Sequence, residues 1–314
     1  MKLSVIIPCF NEESSLPVLY KRLIENLKKT GREYEILFVD DGSKDKTLSI
    51  IKDFAKADIS VRFISLSRNF GKESAMYAGF CNAGGDYVAV MDADLQDPPE
   101  LIPDMVRILD EGNFDCVAAR RISRKGEPKL RSLFAKMFYK ILNKISNTEI
   151  IDGARDFRMM TRKPLDSIIK ISEANRFSKG IFSWIGFDTF WLSYENTERV
   201  GGKTKWSFKK LFSYGIEGII NYSEAPLNFA SVTGVFATLF SFLALVFIVV
   251  RKLAFGDPVA GWASTVCIII FLGGLQLLSL GIIGKYLAKT YSETKHRPHY
   301  IIKDSNFGNN GFVN

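Results

Sequence analysis

The sequence gathers chemistry-bearing side chains at four points: Pro8-Cys9-Phe10-Asn11-Glu12, Asp40-Asp41-Gly42-Ser43, Arg68-Asn69-Phe70-Gly71 and Asp92-Ala93-Asp94. Acidic groups brought to one rim repel one another unless a cation or hydrogen-bond donors sit among them. An Asp-x-Asp pair supplies hard oxygen ligands, which suit Mg²⁺ or Mn²⁺ and, through that ion, a diphosphate. The same pair also fits a turn or helix cap, so Asp92 and Asp94 take their meaning from what positions them. Neither GxGxxG nor GxxxxGK[ST] occurs, so a dinucleotide fingerprint and a P-loop are both excluded.

What positions them is a series of buried runs. Residues 3–7, 34–39, 61–65, 87–91 and 116–119 are short, apolar and β-rich, which predicts strands. Residues 15–28, 47–57, 72–82 and 100–111 carry helical spacing. Strand–helix alternation implies an α/β fold with a mostly parallel sheet and helices on both faces. Ligands of such sheets bind beyond the carboxyl ends of the strands, which is where the four clusters fall. The first apolar run is too short for a signal peptide and is closed by Pro8. Cys9, Cys81, Cys116 and Cys267 show no CxxC spacing, so they read as buried thiols rather than a zinc site or disulfide framework.

The chain has 314 residues, 47% of them hydrophobic, and a net charge of +8. That excludes a disordered chain and a disulfide-stapled miniprotein. Residues 227–250 and 261–284 carry no charge at all. As helices each would reach roughly 36 Å, enough to cross a bilayer core of about 30 Å with some tilt. The short connection, with Asp257-Pro258, predicts a helical hairpin. Lys203, Lys205, Lys209, Lys210, Lys285, Lys289, Lys295 and Arg297 flank the pair, against Arg251 and Lys252 in the connection, which favours cytoplasmic termini. Gly273, Gly274 and Ser279 permit close helix packing and are compatible with a homo-oligomer without establishing one.

Between residues 120 and 144 lie nine cations (Arg120, Arg124 and Arg131 among them) and one acid. Leu130, Phe134, Met137, Phe138 and Ile141 fall at helical spacing there. A basic amphipathic helix of this kind suits an anionic membrane surface, and the neighbouring hairpin argues against nucleic acid. Arg120, Arg124 and Arg131 have the fork geometry to bind an acceptor phosphate, or serve as surface charges.

Taken together, VIIPCFNEE, VDDGSKDKT, RNFGKESAMYAGF, VMDADLQDPPE, DFRMM, RVGGKTKW and the hairpin resemble the family 2 glycosyltransferases that act on polyprenyl phosphates, over residues 1 to about 290. The resemblance implies a GT-A nucleotide-sugar-binding domain over residues 1–205, an interfacial segment over 206–225, a two-span hairpin over 226–284 and a cytoplasmic tail over 285–314. It implies that Pro8, Phe10 and Glu12 line the nucleotide pocket, with Val39 and Asp41 at the base. A carboxylate such as Asp41 can accept the N3–H of uracil; Asp40 is the alternative turn cap. Asp92, Ala93, Asp94 and Gln96 would hold the donor's sugar and diphosphate, with Asp92 and Asp94 on Mg²⁺ or Mn²⁺. Asp156 matches an acidic position near the reaction centre, although Ala154-Arg155 precede it where the family has a small residue and Gly. A salt bridge from Asp156 to Arg155 or Arg158 is the structural alternative. Arg199, Thr204 and Lys205 match a phosphate-clamping block, with Thr204 where Ser is common.

The resemblance therefore implies transfer of a sugar, in one inverting step, from a nucleotide sugar (UDP-glucose first, then UDP-N-acetylglucosamine) to membrane polyprenyl phosphate. Asp94, Asp156 and Arg199 would carry the chemistry. An anionic phosphate nucleophile hardly needs a base, so Asp156 is expected to orient the acceptor or steady the sugar. A transferase acting on diacylglycerol is the runner-up and would make Asp156 an indispensable base. An inactive nucleotide-binding scaffold predicts damage at Asp41, Asp92 or Asp94, and none is present. A processive synthase would need a Q-x-x-R-W block, which is absent, and more spans.

Overall fold

A strand with apolar side chains on both faces belongs in the middle of a sheet covered on both sides. A computed structural model, which describes residues 1–121, 154–194, 225–255 and 261–307, places β1 (Leu3–Cys9) there. Strands β2 (Tyr34–Asp40), β3 (Val61–Leu66) and β4 (Tyr87–Val90) alternate with helices α1 (Leu16–Lys29), α2 (Thr47–Ala57) and α3 (Lys72–Asn82). A 3₁₀ turn at Pro99–Leu101 leads into α4 (Ile102–Asp110) and β5 (Cys116–Arg121). Then follow β6 (Ala154–Thr161), α5 (Arg162–Lys170), α6 (Ser178–Trp184) and β7 (Thr189–Tyr194).

These strands and a late one, β8 (Ile302–Ser305), form one eight-stranded sheet in the order β7-β5-β6-β4-β1-β2-β3-β8. Pairings around β1, and that of β5 with β7, are parallel; β6 runs antiparallel to both β4 and β5, and β8 antiparallel to β3. Alternate residues of β1 feed opposite cores. Leu3, Val5 and Ile7 meet Leu16, Leu19, Leu23 and Leu27 of α1, while Ile6 meets Ala75, Met76 and Phe80 with α3. The 3- and 4-residue spacing of the α1 leucines makes that stripe, and each such side chain contributes about 1.5–3 kcal/mol by burial.

The chain runs outward from β1 through β2 to β3, then returns to place β4 on the other side of β1. This reversal is a topological switch point, and in such sheets ligands bind beyond the carboxyl ends of the strands, here β1, β2 and β4.

Helices α7 (Ala225–Phe255) and α8 (Trp262–Thr294) have 31 and 33 residues and pack on each other. Both are long and apolar enough to cross a membrane. Their phenylalanines are turned outward: Phe236, Phe240 and Phe271 are exposed, whereas Phe38, Phe80 and Phe157 of the sheet domain are buried. The tail, a segment of its own in the sequence reading, returns to the sheet. β8 pairs with β3, Lys52 bonds Asp304 at 2.5 Å, and Asn306 bonds both Phe63 N and Val61 O. The Glu293 carboxylate at the end of α8 accepts the Ala174 N–H.

Candidate active site

Three loops lie at the switch point. In the first, following β1, Asn11 adopts φ 55° and anchors across to the second, its N–H donating to Ser43 Oγ and its Oδ1 accepting from Lys44 N. Glu12 N–H donates to Thr47 Oγ1, and its carboxylate receives the Ser15 hydroxyl at the start of α1. Phe10 stands 37% exposed at the rim, an aromatic face open to a partner ring. Pro8 lies within β1 opposite Val39, whose side chain is fully buried beneath α3; contact of Val39 with a base would therefore go through its backbone.

The second loop turns at Gly42, where φ is +69° and a Cβ would come within 2.6 Å of the Arg68 carbonyl carbon. Only glycine fits that approach. Asp40 Oδ1 accepts the Ser43 N–H and Oδ2 the Ser65 hydroxyl, which is the turn-capping task. Asp41 does something the sequence did not disclose: its two oxygens accept the N–H groups of Phe70 (2.7 Å) and Gly71 (2.9 Å), pinning the segment that leads into α3. Burial raises its pKa, and these two amides work against that rise. Each oxygen keeps a further lone pair for a ligand.

The third loop, after β4, carries Asp92, Ala93 and Asp94. Leu95 sits at φ 62°, a left-handed conformation costing on the order of 1–2 kcal/mol for a residue with a Cβ. Fixed partners hold it. Asp94 Oδ1 accepts the Gln96 N–H, and fully buried Asp97 accepts from Asp92 N, Tyr194 Oη and, at 3.0 Å, Arg155 Nε. Arg155 also donates to Gln96 Oε1 and stands 4.0 Å from Asp92. The departure from the family pattern at Arg155 thus has a structural task, organising the Asp-x-Asp loop. Desolvation raises the Asp97 pKa, with Arg155 opposing it.

β6 brings the remaining carboxylate. Its antiparallel register pairs Val90 with Arg158, which carries Asp156 alongside Asp92 just beyond the ladder. Between them is Lys72, the first residue of α3. Its ammonium lies 2.6 Å from Asp92 Oδ1 and 2.5 Å from Asp156 Oδ2. Although 44% of the side chain is exposed, the charged tip is enclosed by the two carboxylates. Burial alone would lower the lysine pKa; Asp156 and Asp92 instead hold it well above its ordinary value. Burial by itself would raise Asp156, but Lys72, then Lys179 and Arg158, keep its pKa far below the usual carboxylate range. Asp156 is thus salt-bridged, but to Lys72; the expected partners Arg155 and Arg158 are engaged elsewhere, Arg155 with Asp97 and Arg158 against the Phe182 ring.

Lys72, Asp97 and Tyr194 were not singled out from sequence, and Arg155 was noted only as a departure from the family pattern and a possible partner of Asp156. The RNFGK block and the unusual arginine before Asp156 were the available signals. Arg120 is the penultimate residue of β5 and is exposed. Arg124, Arg131, Arg199, Thr204, Lys205, the basic amphipathic stretch and the interfacial segment lie outside the described residues.

Among the described residues no group of three His, Cys, Asp or Glu is gathered as a metal cage. Asp92 and Asp94 contribute two hard-oxygen carboxylates, which suit Mg²⁺ or Mn²⁺ where further oxygen ligands complete the coordination.

Residues 4–169 match the family described as Glycosyl transferase family 2. The chain is 45% identical over 307 residues to the putative glycosyltransferase CsbB of Bacillus subtilis (strain 168), covering 98% of this chain and 93% of that one. It is 43% identical over 309 residues to the SfII prophage-derived bactoprenol glucosyl transferase of Shigella flexneri, covering 98% and 100%. To the prophage bactoprenol glucosyl transferase homolog of Escherichia coli (strain K12) it is 41% identical, covering 96% and 99%. With the family match spanning more than half of the chain and these relatives nearly all of it, this protein belongs to glycosyltransferase family 2.

Proposed function

We propose that the protein transfers glucose from a nucleotide sugar, UDP-glucose in the first instance, to membrane polyprenyl phosphate, with inversion at the anomeric carbon. The observation that carries this reading is the convergence of Asp92, from the loop after β4, and Asp156, from β6, on one ammonium at the switch-point rim. Near-full-length relatives named bactoprenol glucosyl transferase supply the acceptor class.

In this reading the uridine lies against Phe10, with Pro8, Glu12, Val39 and Asp41 around it. The diphosphate and sugar lie over Asp92, Ala93, Asp94 and Gln96. Asp92 and Asp94 would hold a divalent cation together with the donor diphosphate, and that cation would supply Lewis-acid neutralisation of the leaving group. Asp156, kept anionic by its three cationic neighbours, orients the acceptor and steadies positive charge growing on the sugar. Arg120, with Arg124, Arg131, Arg199, Thr204 and Lys205, is assigned to the phosphates. No base is required, because the acceptor phosphate is already largely ionised near neutrality.

α7 and α8 serve as the two spans. Two features support placing both ends on one side: the excess of Lys and Arg flanking the pair over Arg251 and Lys252, and the return of β8 to the same sheet that begins with β1. The positive excess makes that side the cytoplasm.

The test is transfer by the purified, detergent-solubilised full chain, offered undecaprenyl phosphate and each labelled sugar nucleotide, with Mg²⁺, with Mn²⁺ and with EDTA. The expected result is a cation-dependent, acid-labile lipid-linked glucose from UDP-glucose. Transfer to diacylglycerol instead, or no transfer from any donor while UDP still binds, would overturn the acceptor assignment.

A further inference from the structure

The donor loop and Asp156 come from different parts of the chain, and the residue that touches both belongs to neither. Lys72 opens α3, and the segment before it is fixed by Asp41 through the Phe70 and Gly71 amides. Residues following β2, β3 and β4, and a residue of β6, are therefore tied through one side chain. The neighbours of Asp156 are arranged asymmetrically around this link. Glu73, beside Lys72, accepts the N–H of Ser178 at 3.0 Å, and so holds α6 with Lys179 against α3. Arg158, two residues along β6 from Asp156, is buried with its guanidinium 3.5 Å from the Phe182 ring centroid and its Nε unpartnered. Of these three cations, Lys72 is the one that reaches both Asp156 and the Asp-x-Asp loop at ion-pair distance.

The geometry points to Lys72 as the positioning residue for sugar transfer, acting through Asp156 and Asp92 to set the acceptor-side carboxylate in register with the donor loop. This rests on the glycosyltransfer reading of the site. The physical argument has two parts. First, two carboxylates each within 2.6 Å of one nitrogen would separate without it, because like charges at that spacing repel strongly in a partly desolvated crevice. Asp156 would then leave the line of attack, and a misplacement of about 1 Å can cost a factor of about 100 in rate. Second, the ammonium occupies one oxygen of Asp92 and so competes with any divalent cation for that carboxylate. Lys72 thus holds the frame at a cost to cation affinity. A residue that merely supported the fold would leave no such opposed signature.

The full-length protein is compared with Lys72→Met and Lys72→Arg. Transfer kinetics are recorded with UDP-glucose and with undecaprenyl phosphate varied in turn, and Mn²⁺ binding is titrated in the presence of UDP by the electron-spin signal of free Mn²⁺. For Lys72→Met the expected outcome is a fall in kcat of about 100-fold, a KM for UDP-glucose within about threefold, and Mn²⁺ bound several-fold more tightly than by the wild type. Lys72→Arg, which keeps the charge, should recover at least about a tenth of the wild-type kcat. Transfer by Lys72→Met within about threefold of wild type overturns the inference. So does weaker Mn²⁺ binding in Lys72→Met, which would make Lys72 a support of the loop. If the wild type itself transfers no sugar, the glycosyltransfer reading has failed, and the Mn²⁺ titration still decides whether Lys72 competes at Asp92.

Discussion

Buried carboxylates sit at both ends of the parallel strands, and the two ends treat them in opposite ways. At the amino-terminal rim, Glu35 is 3% exposed and every lone pair is taken: Oε1 accepts from Ser4 Oγ (2.6 Å) and Gly84 N (2.7 Å), Oε2 from Lys2 Nζ (2.7 Å) and Arg62 Nη1 (3.0 Å). Even the backbone is closed in, since a Cβ on Gly85 would lie 2.7 Å from Ser4 N. At the carboxyl-terminal rim one ammonium serves two carboxylates, and Asp94 stands a residue away from the first. At the first rim four donors close around one carboxylate; at the second a single ammonium is shared between two, with Arg155 no nearer than 4.0 Å to Asp92. A closed knot of the first kind stabilises a fold, whereas an open one has capacity left for a cationic or hydrogen-bonding ligand.

Substitutions can break this contrast, beginning at the open end. Asp156→Asn should lower kcat about 1,000-fold while UDP binding stays within about threefold; equal loss of UDP binding would make Asp156 part of the donor pocket. At the closed end, Glu35→Gln should cost roughly 3 kcal/mol of stability in urea unfolding, with activity per folded molecule unchanged. The same knot sets a pH dependence. Lys2, Ser4, Gly84 and Arg62, overcoming the effect of burial, hold the Glu35 pKa at about 2 against an ordinary 4.5. Its contribution is therefore complete above about pH 4.5 and is lost as pH falls towards 2. The wild type should show that acid slope, and Glu35→Gln should show less of it. Arg155→Gln, which releases the Asp-x-Asp loop from its clamp, should raise the KM for the donor about tenfold and kcat should change less. The smallest effect belongs to the tail covering the closed knot: Phe307 lies over Arg62 at 3.7 Å, and Asn306→Ala should cost about 1 kcal/mol in the same unfolding measurement.

The first half of the sheet could be read directly, for a physical reason. β1 to β4 are buried on both faces and appear as apolar runs, and helices at 47–57 and 72–82 coincide with α2 and α3. In the second half β5 was read, at 116–119, and β6, β7 and β8 were not. β6 reads Ala-Arg-Asp-Phe-Arg-Met-Met-Thr, and its charged members conceal a strand whose pairing is antiparallel. β8 is four residues long and has a single apolar residue, Ile302, so nothing local marks it as an edge strand. The Asp-x-Asp loop was legible because spacing carries its chemistry. Lys72 was not, because its role comes from a register between β4 and β6 that no local pattern records. Asp41 was read as a base contact, and its link to the segment before α3 depends on tertiary proximity alone.

The position of β8 has a consequence for how the molecule is made. β3 leaves the ribosome early, but its partner strand is encoded beyond both long helices. At synthesis rates of about 5–20 residues per second, the edge of β3 waits on the order of ten seconds to a minute for β8. During that interval it is an unpaired strand edge, open to pairing with another chain. Docking of β8 requires that the segment after α8 emerge on the side where β3 lies. In the two-span reading proposed above, a hairpin threaded with its second helix the wrong way round would leave the sheet one strand short.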